Sequence, residues 1–238
     1  KASQSASGIK LLASFKDASG NFISPPQDQV AVYDSQGQKL CFDYKDVRQT
    51  QQKMTFILLL DRSASMGGVM DEVKQSAKLF LKSLPPSAQC AVASFNHGFT
   101  YHNKYFQSCN SGDFKLDDMV AEGGTDLLVP LLRAHESLGR DEFADYQKAV
   151  IVITDGQITQ NPVMQQAVLE AKKDTLSFMY LRGKASHAHI KALADGYIHD
   201  PANFKESLGE YFESLSDGYN TQKLIQVKPC AGGAYAAP

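Results

Sequence analysis

The sequence contains no apolar run approaching the roughly 18–20 residues a membrane-spanning helix needs, so no transmembrane segment is expected in it. It has no excess of one charge. Its 24 basic and 26 acidic residues nearly cancel, and no basic stripe or basic–aromatic cluster supplies the footprint of a nucleic-acid interface. It has no C-x-x-C spacing, which excludes a zinc ribbon or a thioredoxin-like pair. G-x-S-x-G, H-E-x-x-H, Walker A and G-x-G-x-x-G are all missing, so hydrolysis, phosphate cradling and dinucleotide binding lack their signatures. A binding module is expected rather than an enzyme. No signal peptide opens the chain, and it begins with Lys1 rather than methionine, as a processed or excised chain would.

What is present is enough for a core: 238 residues, 43% of them apolar. Residues 1–8, KASQSASG, read as a flexible lead-in. Residues 9–50 hold short apolar runs separated by turn signals such as DASGN and DSQGQ, the pattern of a small β-strand appendage. From 51 to 225 short buried strands alternate with amphipathic helices, and 226–238 read as a tail or linker. The fold class expected is α/β, with a doubly wound, mostly parallel central sheet flanked by helices and a small N-terminal β appendage.

Strands are expected at Thr55–Leu60, Cys90–Phe95, Ala149–Thr154 and Thr175–Leu181, all apolar on both faces. Val69, Val73, Ala77, Phe80 and Leu84 share one face of a helix stopped by Pro85-Pro86. Leu128, Leu131, Leu132 and Leu138 mark a second helix, and Asn161-Pro162 caps a third. Ser186 opens a short one, and Phe204, Leu208, Tyr211, Phe212 and Leu215 stripe the last. Between Phe95 and Cys109 the chain reads as a strand, a turn at Asn96-His97-Gly98 and a return through Tyr101–Phe106. Folding that hairpin brings Cys90 near Cys109. Cys41 and Cys230 flank the α/β unit and pair if its ends are neighbours. Four reduced thiols of a cytosolic protein are the alternative.

The stretch LLLDRSASMGG ends a buried strand with Asp61, Ser63 and Ser65. Gly123-Gly124-Thr125 precedes the second helix, and Asp155 ends another strand. In open α/β sheets ligands sit at the carboxyl ends of strands, so three loops offer Asp61, Ser63, Ser65, Thr125 and Asp155 to one edge. Two carboxylates and three hydroxyls, with neither sulfur nor imidazole, suit a hard cation: Mg²⁺, with Mn²⁺ or Ca²⁺ as alternatives. Gly67 and Gly68 are read as letting the loop pass an ion without interference from a Cβ.

These motifs resemble those of the von Willebrand factor type A domain, over about residues 54 to 217. In that family Asp-x-Ser-x-Ser, here Asp61, Ser63 and Ser65, joins a Thr of a Gly-Gly-Thr loop, here Thr125, and an Asp of a Thr-Asp-Gly turn, here Asp155, in a metal-ion-dependent adhesion site. The resemblance implies that Ser63 and Ser65 hold the metal directly, Thr125 directly or through water depending on state, and Asp61 and Asp155 largely through water. It implies a protein partner that supplies a Glu or Asp carboxylate. With the cysteines, it points to an extracytoplasmic surface, pilus or adhesin protein. The competing expectation is an intracellular assembly module working with a ring ATPase.

Gly124, Asp126, Phe99 and Tyr101 are expected at the rim of the site. His187 and His189 diverge on a helix and read as solvent-facing, as do His97 and His102 beside the hairpin turn. Asp117, Asp118 and Glu122 read as a solvated helix surface, with tuning of the rim as the alternative. If the site is adhesive, Asp61→Ala should abolish binding with little loss of fold.

Overall fold

A computed structural model describes residues 2–5, 8–50, 53–103, 106–110, 112–155, 161–182, 188–200 and 204–230. The chain divides into two compact units, Lys1–Gln52 with Ser214–Pro238, and Lys53–Glu213. The smaller unit opens with β1 (Ala2–Ser5), β2 (Gly8–Ala13), a short hairpin of β3 (Phe15–Lys16) and β4 (Phe22–Ile23), β5 (Val32–Tyr33) and β6 (Lys39–Asp46). The β3–β4 turn is built by Asp17, whose carboxylate accepts the amides of Ser19 and Asn21.

The larger unit holds β7 (Lys53–Asp61), α1 (Met70–Ser83), β8 (Ala88–Phe95), β9 (Phe99–Tyr101), β10 (Gln107–Ser108) and α2 (Leu128–Leu138). There follow β11 (Tyr146–Thr154), α3 (Pro162–Lys172), β12 (Leu176–Arg182), α4 (Ala188–Lys191) and β13 (Gly196–Asp200), and then α5 (Phe204–Asn220), which belongs to this unit as far as Glu213. β14 (Lys223–Lys228) then belongs to the smaller unit, where the strand order is β1-β2-β14-β6-β5 and every pairing is antiparallel. Cys41 and Cys230 are disulfide-bonded there, with Cα atoms 5.2 Å apart. Lys223 pairs with Asp46 and Lys228 with Asp43 across β14 and β6.

Two segments expected to lack regular structure are therefore strands. Ala2–Ser5, in the expected lead-in, is small and polar and becomes a strand through its register with β2. Residues 226–228, in the expected tail, complete a six-residue strand whose alternate residues Lys223, Ile225 and Val227 are buried.

In the larger unit the sheet runs β10-β8-β7-β11-β12-β13, with β9 also paired to β8. β8, β7, β11, β12 and β13 are mutually parallel, and β9 and β10 run antiparallel to β8. The period-2 alternation of the strands explains why helices cover both faces. Ile57, Leu59, Ala91, Ala93, Val150, Val152, Met179 and Leu181 form one core with Leu128, Leu131, Ala134 and Leu138 of α2, Val168 of α3 and Ile190 of α4. Their sequence neighbours point the other way. Phe56 meets Phe80 of α1 at 5.9 Å between ring centroids, Phe80 stacks on Phe212 of α5 at 4.6 Å, and Tyr180 lies 5.4 Å from Tyr211. At about 1.5–3 kcal/mol for each large apolar side chain fully buried, these two cores supply the main favourable term for the unit. The expected architecture, a doubly wound, mostly parallel sheet flanked by helices, is the one observed.

α1 starts after a 3-10 stretch, Ala64–Val69, and ends where Leu84 turns extended ahead of Pro85. Asn161 Oδ1 caps α3 by accepting the Met164 amide at 3.1 Å. The return strand expected through Tyr101–Phe106 is broken instead. β9 and β10 are separate, and at the break Val92 donates its N–H to Asn103 Oδ1 at 2.8 Å in place of a strand carbonyl. Cys90 and Cys109 are bonded at the foot of this hairpin, with Cα atoms 5.3 Å apart. Ser186 and His187 lie outside the described residues, as does the side chain of His189.

Candidate metal centre

Asp61 is the last residue of β7, the strand between β8 and β11, so the turn it opens stands at the middle of the sheet's carboxyl edge. Its side chain is fully buried. Oδ1 accepts the Ser63 amide at 2.8 Å, and Oδ2 accepts the Thr154 hydroxyl, from the end of β11, at 2.6 Å. Burial pushes the Asp61 carboxyl above its usual range, and the nearby negative charge of Asp155 adds to this; hydrogen bonds from Thr154 and Ser63 oppose it. The amide bond to Asp61 turns the chain so that Ser63 is buried and Ser65 exposed, with their hydroxyl oxygens 3.1 Å apart. Asp155, directly after β11, is buried at the same edge.

The Gly-Gly-Thr loop is tied beside this turn by backbone bonds. Ala64 donates to the Gly123 carbonyl at 3.0 Å, and Glu122 donates to the Arg62 carbonyl at 2.8 Å. The Arg62 guanidinium meets the Glu122 carboxylate at 2.6 Å. On the other side Asp126 donates to the Asn96 carbonyl at 2.8 Å, and the Asn96 side-chain amide donates to the Glu122 carbonyl at 3.1 Å. Thr125, between these anchors, is half-buried. Arg182, at the end of β12, reaches the Ser65 carbonyl at 3.4 Å. The structure thus brings the Asp61, Ser63 and Ser65 turn, the Thr125 loop and Asp155 to one edge.

The rim residues separate. Gly124 and Asp126 belong to the tied loop. Phe99 pairs with Phe95 and packs on the core shared with α2. The Tyr101 hydroxyl donates to, or accepts from, Ser137 Oγ at 2.9 Å. Ser137 is in the last turn of α2, and α2 begins directly after the Thr125 loop. Tyr101 therefore points away from that edge, because the run of β9 carries its ring down the sheet.

Of the histidines beside the turn, expected to face solvent, one does and one is half-buried. His97 is exposed, yet its Nε2 accepts the Gly124 amide at 3.0 Å. His102 is half-buried between Ser94 Oγ at 2.7 Å and the Lys115 carbonyl at 3.1 Å, and burial lowers its pKa. Residues 112–121 form no helix: Asp117 is ion-paired with Lys78 at 2.6 Å from a loop. Neither His97 nor Asn96 carries a motif that would have marked it; only a turn signal covers them.

Residues 56–157 match the family model of the von Willebrand factor type A domain. A type A domain structure from Catenulispora acidiphila superposes with a TM-score of 0.60 at 16% identity, covering 79% of this chain and 52% of that one. The larger unit has the type A fold. The pilus adhesin SpaC of Lactobacillus rhamnosus GG, at 12% identity, gives a TM-score of 0.60 over 77% of this chain and 35% of that chain. In sequence, a von Willebrand factor A domain-containing protein of Dictyostelium discoideum is 28% identical over 143 residues, which is 54% of this chain and 15% of the relative. This chain therefore spans a small part of the curated relatives it matches.

Type A domains often bind a divalent cation, and the donor set here fits one. Cis oxygens around an octahedral Mg²⁺ at about 2.1 Å stand about 3 Å apart, close to the 3.1 Å between the Ser63 and Ser65 hydroxyl oxygens. Burial and the neighbouring charge of Asp155 disfavour the Asp61 carboxyl as an anion, a cost that a cation offsets. Among the described residues no group of three His, Cys, Asp or Glu side chains gathers as a metal site. The candidate centre depends on hydroxyls to complete it.

Proposed function

We propose that this chain is a divalent-cation-dependent protein-binding module whose partner contributes a Glu or Asp carboxylate, and that it works outside the cytoplasm in a surface, pilus or adhesin protein. The observation that carries the reading is the edge itself: buried Asp61, Ser63 and Asp155 and exposed Ser65 at the carboxyl ends of the central strands, with the Thr125 loop bonded alongside. Ser63, Ser65 and Thr125 would hold the ion, with Asp61 and Asp155 behind them. Bound there, a cation poorly neutralised by protein charge remains an electrophile for a carboxylate.

The chain's own residues make the site rigid. Asp61 fixes the Ser63 backbone and is itself fixed by Thr154, so neither needs to reorganise on binding. Ser65 faces solvent, where an incoming side chain arrives. Two disulfides, and the pilus adhesin among the structural neighbours, support the extracytoplasmic setting over an intracellular partner of a ring ATPase.

Calorimetric titration of Mg²⁺, Mn²⁺ and Ca²⁺ into chelator-stripped protein tests this, with Asp61→Asn as control. Binding that the variant loses is the expected result. Wild-type protein that takes up none of the three cations would end the reading.

A further inference from the structure

The least expected contact near the proposed centre is His97, which holds the Gly-Gly-Thr loop from the solvent side. Its Nε2 accepts the Gly124 amide at 3.0 Å, so the neutral ring carries its proton on Nδ1. The ring packs so closely that a Cβ on Gly124 would stand 2.4 Å from Cε1 and 2.8 Å from Nε2. Gly123 has φ +75°, and a Cβ there would lie 3.2 Å from the Asn96 side-chain amide. Gly123 thus takes the left-handed backbone that favours glycine, and Gly124 leaves room for the approach of the imidazole.

The turn is itself fixed. The Gly98 amide donates to Asn96 Oδ1 at 2.9 Å, leaving the Asn96 amide group for the Glu122 carbonyl at 3.1 Å and the Asn96 carbonyl for the Asp126 amide at 2.8 Å. The loop from Glu122 to Asp126 is therefore gripped at three points by two consecutive residues of a hairpin turn that holds no proposed ligand. Thr125 lies between the second and third of these points.

We propose that His97, with Asn96, is a positioning residue of the cation site: it holds the Gly123–Asp126 loop where Thr125 can serve as a ligand, so the affinity of the site is set partly from the β8–β9 turn. This inference rests on the proposed cation site for its effect on affinity. The loop contact itself is independent of any ion.

The test uses the wild-type chain with His97→Ala, His97→Gln and Gly124→Ala, reading Mg²⁺ affinity by calorimetry and Gly124 amide exchange by NMR. His97 is exposed, so its replacements should leave the thermal midpoint near that of the wild type. His97→Ala should weaken Mg²⁺ binding by about tenfold, as loss of an outer-shell support commonly does, and speed Gly124 exchange. His97→Gln, whose amide oxygen can accept the same bond, should stay near the wild type. Gly124→Ala should weaken binding with His97 present and add little in the His97→Ala background, where its methyl meets no ring.

Wild-type affinity in His97→Ala would overturn the inference while leaving the cation site standing; equal weakening in His97→Ala and His97→Gln would overturn the acceptor role. If the wild type binds no Mg²⁺, the site reading fails and Gly124 exchange decides alone. Faster exchange in His97→Ala then upholds the loop contact, and unchanged exchange overturns it.

Discussion

The two ends of the parallel strands in the larger unit treat buried charge in opposite ways. At the amino ends, Lys148 is almost fully buried and meets Asp174 at 3.0 Å, and Lys172 meets Asp195 at 2.9 Å. Asp195 also accepts the Ser177 amide at 2.7 Å. Each buried charge there has an opposite charge within reach. At the carboxyl ends, buried Asp61 accepts from an amide and a hydroxyl, both neutral, and the charge beside it is a second carboxylate. One end is built as a closed structural joint. At the other, Asp61 is held by neutral donors, and the proposed cation would be the opposite charge beside it.

The sharpest way to break this contrast is at Asp61. Asp61→Ala removes the acceptor that both the Ser63 amide and the Thr154 hydroxyl use in a buried place, and should cost about 2–3 kcal/mol in urea unfolding with chelator present. This departs from the expectation read off the motif, that such a variant would lose binding with little loss of fold, because Asp61 is also a backbone anchor. Asp61→Asn keeps one acceptor and removes the repulsion with Asp155. It should lose cation binding while unfolding no more easily than the wild type. If Asp61→Asn were as destabilised as Asp61→Ala, the charge at this edge would be structural and the contrast would fail.

The second test is at the other end. Asp174→Ala leaves Lys148, only 7% exposed, without its carboxylate, but Asp174 is itself 60% exposed, so screening holds the cost to about 1 kcal/mol. Cation affinity should not change. A parallel fall in affinity would mean that the two edges are coupled through β11, which carries Lys148 at one end and Asp155 just past the other.

How much was legible in the sequence divides along similar lines. Strands apolar on both faces, such as Phe56–Leu60 and Val150–Ile153, could belong to few places other than a sheet covered on both sides, so the layer architecture was readable. Ile225 and Val227 alternate with Gln226 in a stretch too short and mixed to stand out, and the pairing of Lys223 with Asp46 is a contact across 177 positions that no local pattern encodes. At the site, the oxygen-bearing side chains announce themselves because hydroxyls and carboxylates at strand ends are chemically specific. Their supports do not. His97 reads as a solvent-facing histidine because its role is one accepted hydrogen bond to a residue 27 positions on. Beside the site, Gly123 takes a left-handed backbone and Gly124 lies against the His97 ring.

The smallest effect expected on the fold is the most telling for function. Ser65 is exposed, and its hydroxyl pairs with that of Ser63 at 3.1 Å, a contact water can replace. Ser65→Ala should therefore change unfolding in chelator by less than about 0.5 kcal/mol, the usual range for surface substitutions. If Ser65 is a direct ligand, the same change should lower Mg²⁺ affinity by about tenfold or more, because one of the few oxygen donors is lost. A structural hydroxyl would behave in the reverse manner, moving stability and affinity together or neither. Unfolding curves that superimpose alongside titration curves that separate would thus assign the carboxyl edge to ligand capture; titration curves that also superimpose would remove Ser65 from the site and leave the exposed side of the proposed centre without a protein donor.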